Sequence, residues 1–265
     1  MSSATQTLRA AISHSRRDLA IAAVVCAAGA IGLFLDSDAS LTLQNLLGAG
    51  AWIILALLLK GEPAEIRVQV VVVMLVATAC EYYFAPNWHI YIYRFDNVPA
   101  YVPAAHGMIY LAAAVLARSA LFRRHARLLT CLAILSGAAW ATWGVWFAER
   151  GDVGGAALFL ILVGFILFGG ARLLYVAAFF ITTYLELVGT HYGTWAWATH
   201  MPVFGLSQAN PPSGIAAGYC VFDMAAVTGA SLLDKARVSA LVRYPATVYT
   251  ALTRRFAGQT EAEGE

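Results

Sequence analysis

Three carboxylic acids stand inside long apolar stretches of the chain: Glu81, Glu186 and Asp223. A charge at the centre of a bilayer costs roughly 2.5–3.5 kcal/mol on insertion scales. An acid in such a place is protonated, bonded to a neighbouring helix, or turned toward a wet cavity. A carboxyl group in an apolar site keeps a proton available for transfer, which is the first requirement of general acid catalysis. Histidines frame the same zone. His89 and His191 follow the two Glu-bearing stretches, His106 opens the next apolar run, and His200 lies in a later loop. No two of them have the His-x3-His spacing of a helical metal site, so hydrogen-bonded interfacial histidines are expected, with no metal and no cofactor.

Aromatic residues crowd the same part of the sequence: Tyr82, Tyr83, Phe84, Trp88, Tyr91, Tyr93, Phe95, Tyr101, Tyr192, Trp195 and Trp197. A membrane-interface belt accounts for some of them. Aromatic faces also stabilise cations, and a carbocation formed on an apolar substrate needs such walls. The candidate catalytic residues are Glu81, Glu186, Asp223 and His106. The candidate substrate-binding residues are Tyr82, Trp88, Tyr91, Tyr110, Trp195, Trp197 and Tyr219.

The elements that must position these residues follow from composition. Of 265 residues, 60% are apolar and 12% charged, and the mean hydropathy is +0.69. A soluble domain carries about 25% charged residues. A soluble globule, a disordered chain and a nucleic-acid binder are thereby excluded, leaving an all-α, polytopic transmembrane bundle. Cys26, Cys80, Cys131 and Cys220 lie singly in apolar segments and read as small buried residues. No CxxC, P-loop, GxGxxG or HExxH pattern occurs.

About 20 apolar residues make a span, and eight stretches qualify: Leu19–Leu35, Leu41–Leu59, Val68–Ala85, Ala104–Leu121, Leu128–Ala148, Val153–Gly170, Leu173–Thr190 and Gly214–Leu233. With the N-terminus in the cytoplasm, 15 of the 17 Lys and Arg fall on the inner side, and only Arg94 and Arg150 fall outside. Both termini are expected to be cytoplasmic, in the cytoplasmic membrane of a bacterium or archaeon. The expected divisions are a cytoplasmic N-terminus (1–18), two four-helix halves (19–121 and 122–233), and a cytoplasmic tail (234–265), amphipathic and then disordered.

A repeat underlies the threading. Arg67 and Glu81 bracket the third span and Arg172 and Glu186 the seventh, 14 residues apart in each case. A long aromatic, proline-bearing outer loop follows each Glu. The short acidic outer turns, with Asp36 and Asp38 in one half and Glu149 and Asp152 in the other, are counterparts too. The expectation is a parallel 4+4 duplication with a shared site at the interface of the halves. At 1.5 Å per residue, Glu81 and Glu186 lie about 20 Å above the inner start of their spans, and Asp223 about 13 Å below the outer start of its own. All three are expected to line one cavity, open to the outer side, with His106, Tyr110, Trp195 and Tyr219.

Gly193-Thr-Trp-Ala-Trp197, Pro202-Val-Phe-Gly205 and Asn210-Pro-Pro-Ser-Gly214 are similar to motifs of the membrane-bound carotenoid biosynthesis family. Glu81, Tyr91-Ile-Tyr93 and Val98-Pro99 resemble its first block. That family includes carotenoid and bacterioruberin-type hydratases, which add water to a terminal isoprenoid double bond. The match covers residues 80–110 and 184–225. Asn210 is followed by Pro-Pro where the family pattern has an aromatic, and the first block lacks the family's glycines. The resemblance implies a lipophilic isoprenoid substrate and adds Asn210 to the substrate-binding residues.

Two functions fit these features. One is an integral-membrane enzyme working by carboxylic-acid general acid/base chemistry on an isoprenoid lipid, as hydratase, cyclase or isomerase. The other is a proton-coupled transporter or a lipid-binding subunit of a membrane complex. Either has a lipophilic small molecule and membrane lipid as partners, and no nucleic acid.

Overall fold

The computed structural model describes residues 3–202 and 204–232. The expected tail 234–265 lies outside the described residues, with Lys235, Arg237, Arg243, Arg254 and Arg255 of the inner-side basic set. The described residues form nine helices and one short ladder: α1 (Ser3–Ser37), α2 (Leu41–Leu58), α3 (Ala64–Phe84), β1 (Tyr91–Tyr93), α4 (Val102–Arg118), α5 (Ala120–Arg124), α6 (Ala126–Trp146), α7 (Val153–Phe168), α8 (Arg172–His191), β2 (Trp195–Trp197) and α9 (Ala217–Leu232).

Local chemistry sets the helix ends. The Ser40 hydroxyl caps α2 by accepting from Leu43 N at 3.3 Å. Glu65 sits in the first turn of α3, at the positive end of the helix dipole. A proline, Pro103, opens α4, where a missing N–H costs nothing.

α1 runs unbroken from Ser3 to Ser37, across residue 18. No proline interrupts it, and the buried Asp18 is held by Arg118. One expected boundary moves: the stretch Ala104–Leu121 is not one helix. Ser119 is extended (φ −66°, ψ 146°), ending α4 and capping α5 through Phe122 N.

Four helices are long and apolar enough to cross a membrane: Ser15–Ser37 of α1, α2, α6 and α8. α4, α7 and α9 are apolar but shorter. Large apolar side chains cover the exterior, with Leu46, Leu75, Trp146 and Phe168 between 63% and 88% exposed. Such a surface is incompatible with water and matches lipid, so the protein associates with a membrane.

α4 and α8 form the centre. Leu111, Ala112, Ala113 and Val115 of α4 and Val176, Ala177 and Ala178 of α8 are completely buried. α4 packs on α1, α2, α3 and α8, and α8 also meets α1, α6 and α7. α9 lies along α4, and its Gly229 faces the Val72 side chain of α3.

The two ends of the bundle differ. At one end β1 and β2 pair antiparallel, with Tyr91 opposite Trp197, Ile92 opposite Ala196 and Tyr93 opposite Trp195. At the other, about 25 Å away along α4, Arg118 binds Asp18 (2.6 and 3.1 Å) and Glu62 (2.8 and 3.1 Å), and Arg17 joins Glu62 at 2.8 Å. This ion cluster ties α1 and the α2–α3 turn to the end of α4.

Candidate functional site

Glu81 lies near the end of α3, on the side that faces α4. Its Oε2 accepts from the Tyr91 hydroxyl at 2.8 Å and the Tyr93 hydroxyl at 2.9 Å. The two tyrosines alternate along β1 and therefore share one face of the strand. Burial first, and then the Glu81 carboxylate, push both phenols well above their ordinary pKa, so they stay protonated and donate. The other oxygen, Oε1, is 2.8 Å from His106 Nε2, and His106 Nδ1 is 2.9 Å from the Tyr219 hydroxyl. A carboxylate only accepts, so Nε2 carries the proton and Nδ1 accepts from Tyr219. Glu81, His106 and Tyr219 form one continuous chain across α3, α4 and α9.

Glu186 is built the same way from the second strand. Its Oε2 accepts from Trp195 Nε1 and Trp197 Nε1, both at 3.0 Å. Among the described residues no protein group bonds its Oε1. Gly189, one turn along α8, lets the Trp195 indole lie flat on the helix where a Cβ would collide with it. The Tyr91 and Trp197 rings touch, with centroids 4.6 Å apart.

Both glutamates and His106 line one cavity of about 970 Å³, at the large end of the range for small-molecule sites. Its walls come from α1, α2, α3, α4, α8, α9 and the ladder, and they are overwhelmingly apolar. Gly32, Gly50 and Gly218 are among them, and a Cβ at any of the three would meet nothing within 4 Å. The lining residues that are also exposed are Ile31, Leu35, Leu43, Leu46, Pro202, Phe204 and Val221. The exposed part of the lining is therefore apolar.

Asp223 does not share this cavity. It accepts from Tyr110 at 3.2 Å and from Tyr175 at 3.0 Å, and Tyr110 stands 3.5 Å from Gln69 Oε1. Gln69 and Tyr175 lie near the starts of α3 and α8, so Asp223 belongs to a second buried polar cluster further from the ladder. The depth argument failed because it measured each acid along its own helix. The long side chains of Tyr110 and Tyr175 draw Asp223 toward the ends of α3 and α8 that lie away from the glutamates.

The turns that hold the ladder use acids of the two short acidic turns. Asp36 is completely buried and accepts from Gln44 at 3.0 Å and Tyr101 at 2.8 Å. Asp152, also completely buried, accepts from Ala209 N at 2.8 Å and Ser213 N at 2.9 Å. Arg94 donates to the Ser37 and Ala39 carbonyls. Arg150 donates to Trp197 O (2.5 Å), Ala198 O (2.6 Å) and Gln208 O (2.8 Å).

Of the residues singled out from sequence, Glu81, Glu186, His106, Trp88, Tyr91, Trp195, Trp197 and Tyr219 meet at the cavity. Tyr110 and Asp223 meet each other elsewhere. Tyr82 is 55% exposed and does not line the cavity, because it follows Glu81 directly and points off the other side of α3. Asn210 is exposed, and its Oδ1 accepts from Trp197 N at 2.9 Å, so it holds β2 in place. Tyr93 was missed as a site residue, although its alternation with Tyr91 is the signal that finds it. Tyr175 and Gln69 carry no signal in sequence, since the partner of the first, Asp223, is 48 residues away and that of the second, Tyr110, is 41 residues away. No family model, curated protein or solved structure matches the chain.

Proposed function

We propose that this protein is a multi-pass membrane enzyme that moves a proton onto and off a lipophilic isoprenoid substrate. Glu186 is the acid. Glu186 lines the cavity, and its Oε1, which no protein group bonds among the described residues, is left to carry the proton. Protonation of an alkene carbon leaves a carbocation, and the faces of Trp195, Trp197 and Tyr91 stabilise it. The Glu81–His106–Tyr219 chain is the base. Tyr219 accepts a proton from water or from a neighbouring carbon while passing its own to His106 Nδ1, and Glu81 stabilises the imidazolium that forms. Water addition makes the enzyme a hydratase, in line with the carotenoid hydratase resemblance; loss of a neighbouring proton makes it an isomerase or, after ring closure, a cyclase. The observation that carries this reading is the meeting of that chain and Glu186 in one apolar cavity.

Eight spans in a 4+4 arrangement with both termini cytoplasmic complete the proposal. The paired construction of the site supports it: Glu81 with two phenols from β1, Glu186 with two indoles from β2. So do Asp36 and Asp152, each at the first turn of its half and each bonded to the loop before that half's last helix.

The test is a set of isosteric amides, purified in detergent and assayed on isoprenoid alkenes. Glu186→Gln is expected to lose roughly 10²–10⁴-fold in rate, and Asp223→Asn to remain near the parent. Full activity in both Glu186→Gln and Glu81→Gln ends the carboxylate mechanism. The second polar cluster favours one other reading, proton-coupled transport, since it supplies a buried acid away from the ladder. Proton-dependent flux in liposomes that Asp223→Asn abolishes selects it.

A further inference from the structure

The end of the bundle opposite the ladder carries two kinds of basic residue. Arg17 and Arg118 meet Asp18 and Glu62, two bases against two acids, and Arg172 donates to the Ile166 and Leu167 carbonyls. Arg123, Arg124 and Arg127 are exposed, and none of the three makes an ion pair among the described residues. The fold holds them in that state. Ser119 ends α4 and caps α5, and the buried Phe122 anchors α5 from beneath. α5 packs on α4 and α6, and neither of those helices contains an acid. In sequence no acid stands between Asp96 and Glu149. Three positive charges within five residues thus repel one another, with no counter-charge from the helices around them. An apolar stripe begins beside Arg127. Leu128, Leu132 and Leu135 lie at the i, i+4, i+7 spacing of one face of α6 and are 47–67% exposed.

We propose that α5 and the start of α6 form a binding site for an anionic phospholipid. The headgroup phosphate lies against Arg123, Arg124 and Arg127, and an acyl chain lies along Leu128, Leu132 and Leu135. The charge asks for an anion, and the stripe asks for hydrocarbon attached to it. Guanidinium forks match phosphate oxygens in pairs. A zwitterionic lipid brings its own cation to the same place and gains less. The site lies on the outside of the bundle, away from the cavity, and does not depend on what the cavity binds.

The experiment uses the full chain in detergent and two lipids with the same acyl chains, phosphatidylglycerol and phosphatidylcholine. Native mass spectrometry reads the binding of each. The parent should prefer phosphatidylglycerol. Arg123→Gln, Arg124→Gln and Arg127→Gln should each weaken its binding by about fivefold, and all three together by on the order of 100-fold. The single variants keep the test readable if the triple variant does not fold. Lysine at all three positions keeps the charge and should keep most of the binding. Arg16→Gln, Lys60→Gln and Arg67→Gln remove three exposed charges elsewhere at the same end, and together they should leave binding near the parent. A parent without the preference overturns the proposal. So does an equal loss in the two glutamine sets, which makes the effect one of diffuse charge. Displacement of the lipid by inorganic phosphate at equal concentration overturns it too, because the stripe then contributes nothing. Tighter binding on joint Glu261→Gln, Glu263→Gln and Glu265→Gln makes the acidic chain end the occupant of the arginines and overturns the lipid in that role.

Discussion

Tyr91 and Trp197 stand opposite each other in the ladder, yet their polar ends part: the phenol donates to Glu81 and the indole to Glu186. The contact of their rings is thus a mechanical link between the two acids. Tyr91→Phe and Trp197→Phe are each expected to lower stability by about 1.5–3 kcal/mol through a lost bond to a carboxyl group. In a second cycle with Tyr91→Leu and Trp197→Leu, which removes both rings, the double variant should fall short of the sum by about 0.5–1.5 kcal/mol, the range of aromatic pairs. Thermal unfolding of the four proteins in one detergent gives the coupling, and strict additivity disproves the link.

Among the described residues, Arg118 is the only base that bonds both Asp18 and Glu62. Arg118→Met leaves two buried acids short of a partner and should cost about 3 kcal/mol. Adding Asp18→Asn and Glu62→Gln should recover part of that loss. If stability falls further with the added amides, the cluster is not held by charge.

Alkaline pH should destabilise the ladder. Burial pushes Tyr91, Tyr93 and Tyr101 above the ordinary phenol value of 10, with Glu81 adding to the first two and Asp36 to the third. In the unfolded chain these phenols ionise near 10, while in the folded chain they stay neutral. Stability is therefore unaffected below that pH and falls as pH rises through and beyond it. Tyrosinate absorbance should rise together with unfolding, and a smooth titration in the folded protein refutes the assignment.

The proposed threading puts the 87–103 loop outside and α5 inside. With the four native cysteines replaced, Asp96→Cys should react with a membrane-impermeant maleimide in intact cells, and Arg124→Cys only after lysis. Both positions are exposed. The opposite pattern inverts the topology.

The glutamates and His106 were legible in the sequence because a polar group in an apolar helix is costly and stands out. The equal spacing from Arg67 and Arg172 singled out Glu81 and Glu186, and both line the same cavity. Asp223 was legible as an acid but not in its partners, since Tyr110 and Tyr175 look like ordinary aromatic residues of apolar helices. Asp36 and Asp152 were legible as counterpart turns but not as buried groups, since acids between helices are usually solvated; here backbone amides and side chains of distant loops replace the water.

Side chains along a strand alternate between its faces, so the three-residue ladder tolerates replacement and not displacement. One residue gained or lost between Glu81 and Tyr91 would turn Tyr91 and Tyr93 away from the carboxylate together, and the same holds between Glu186 and Trp195. Among related sequences this interval should vary in residue type but keep its length, ten positions to the first phenol and nine to the first indole, while loops outside the ladder are free to lengthen.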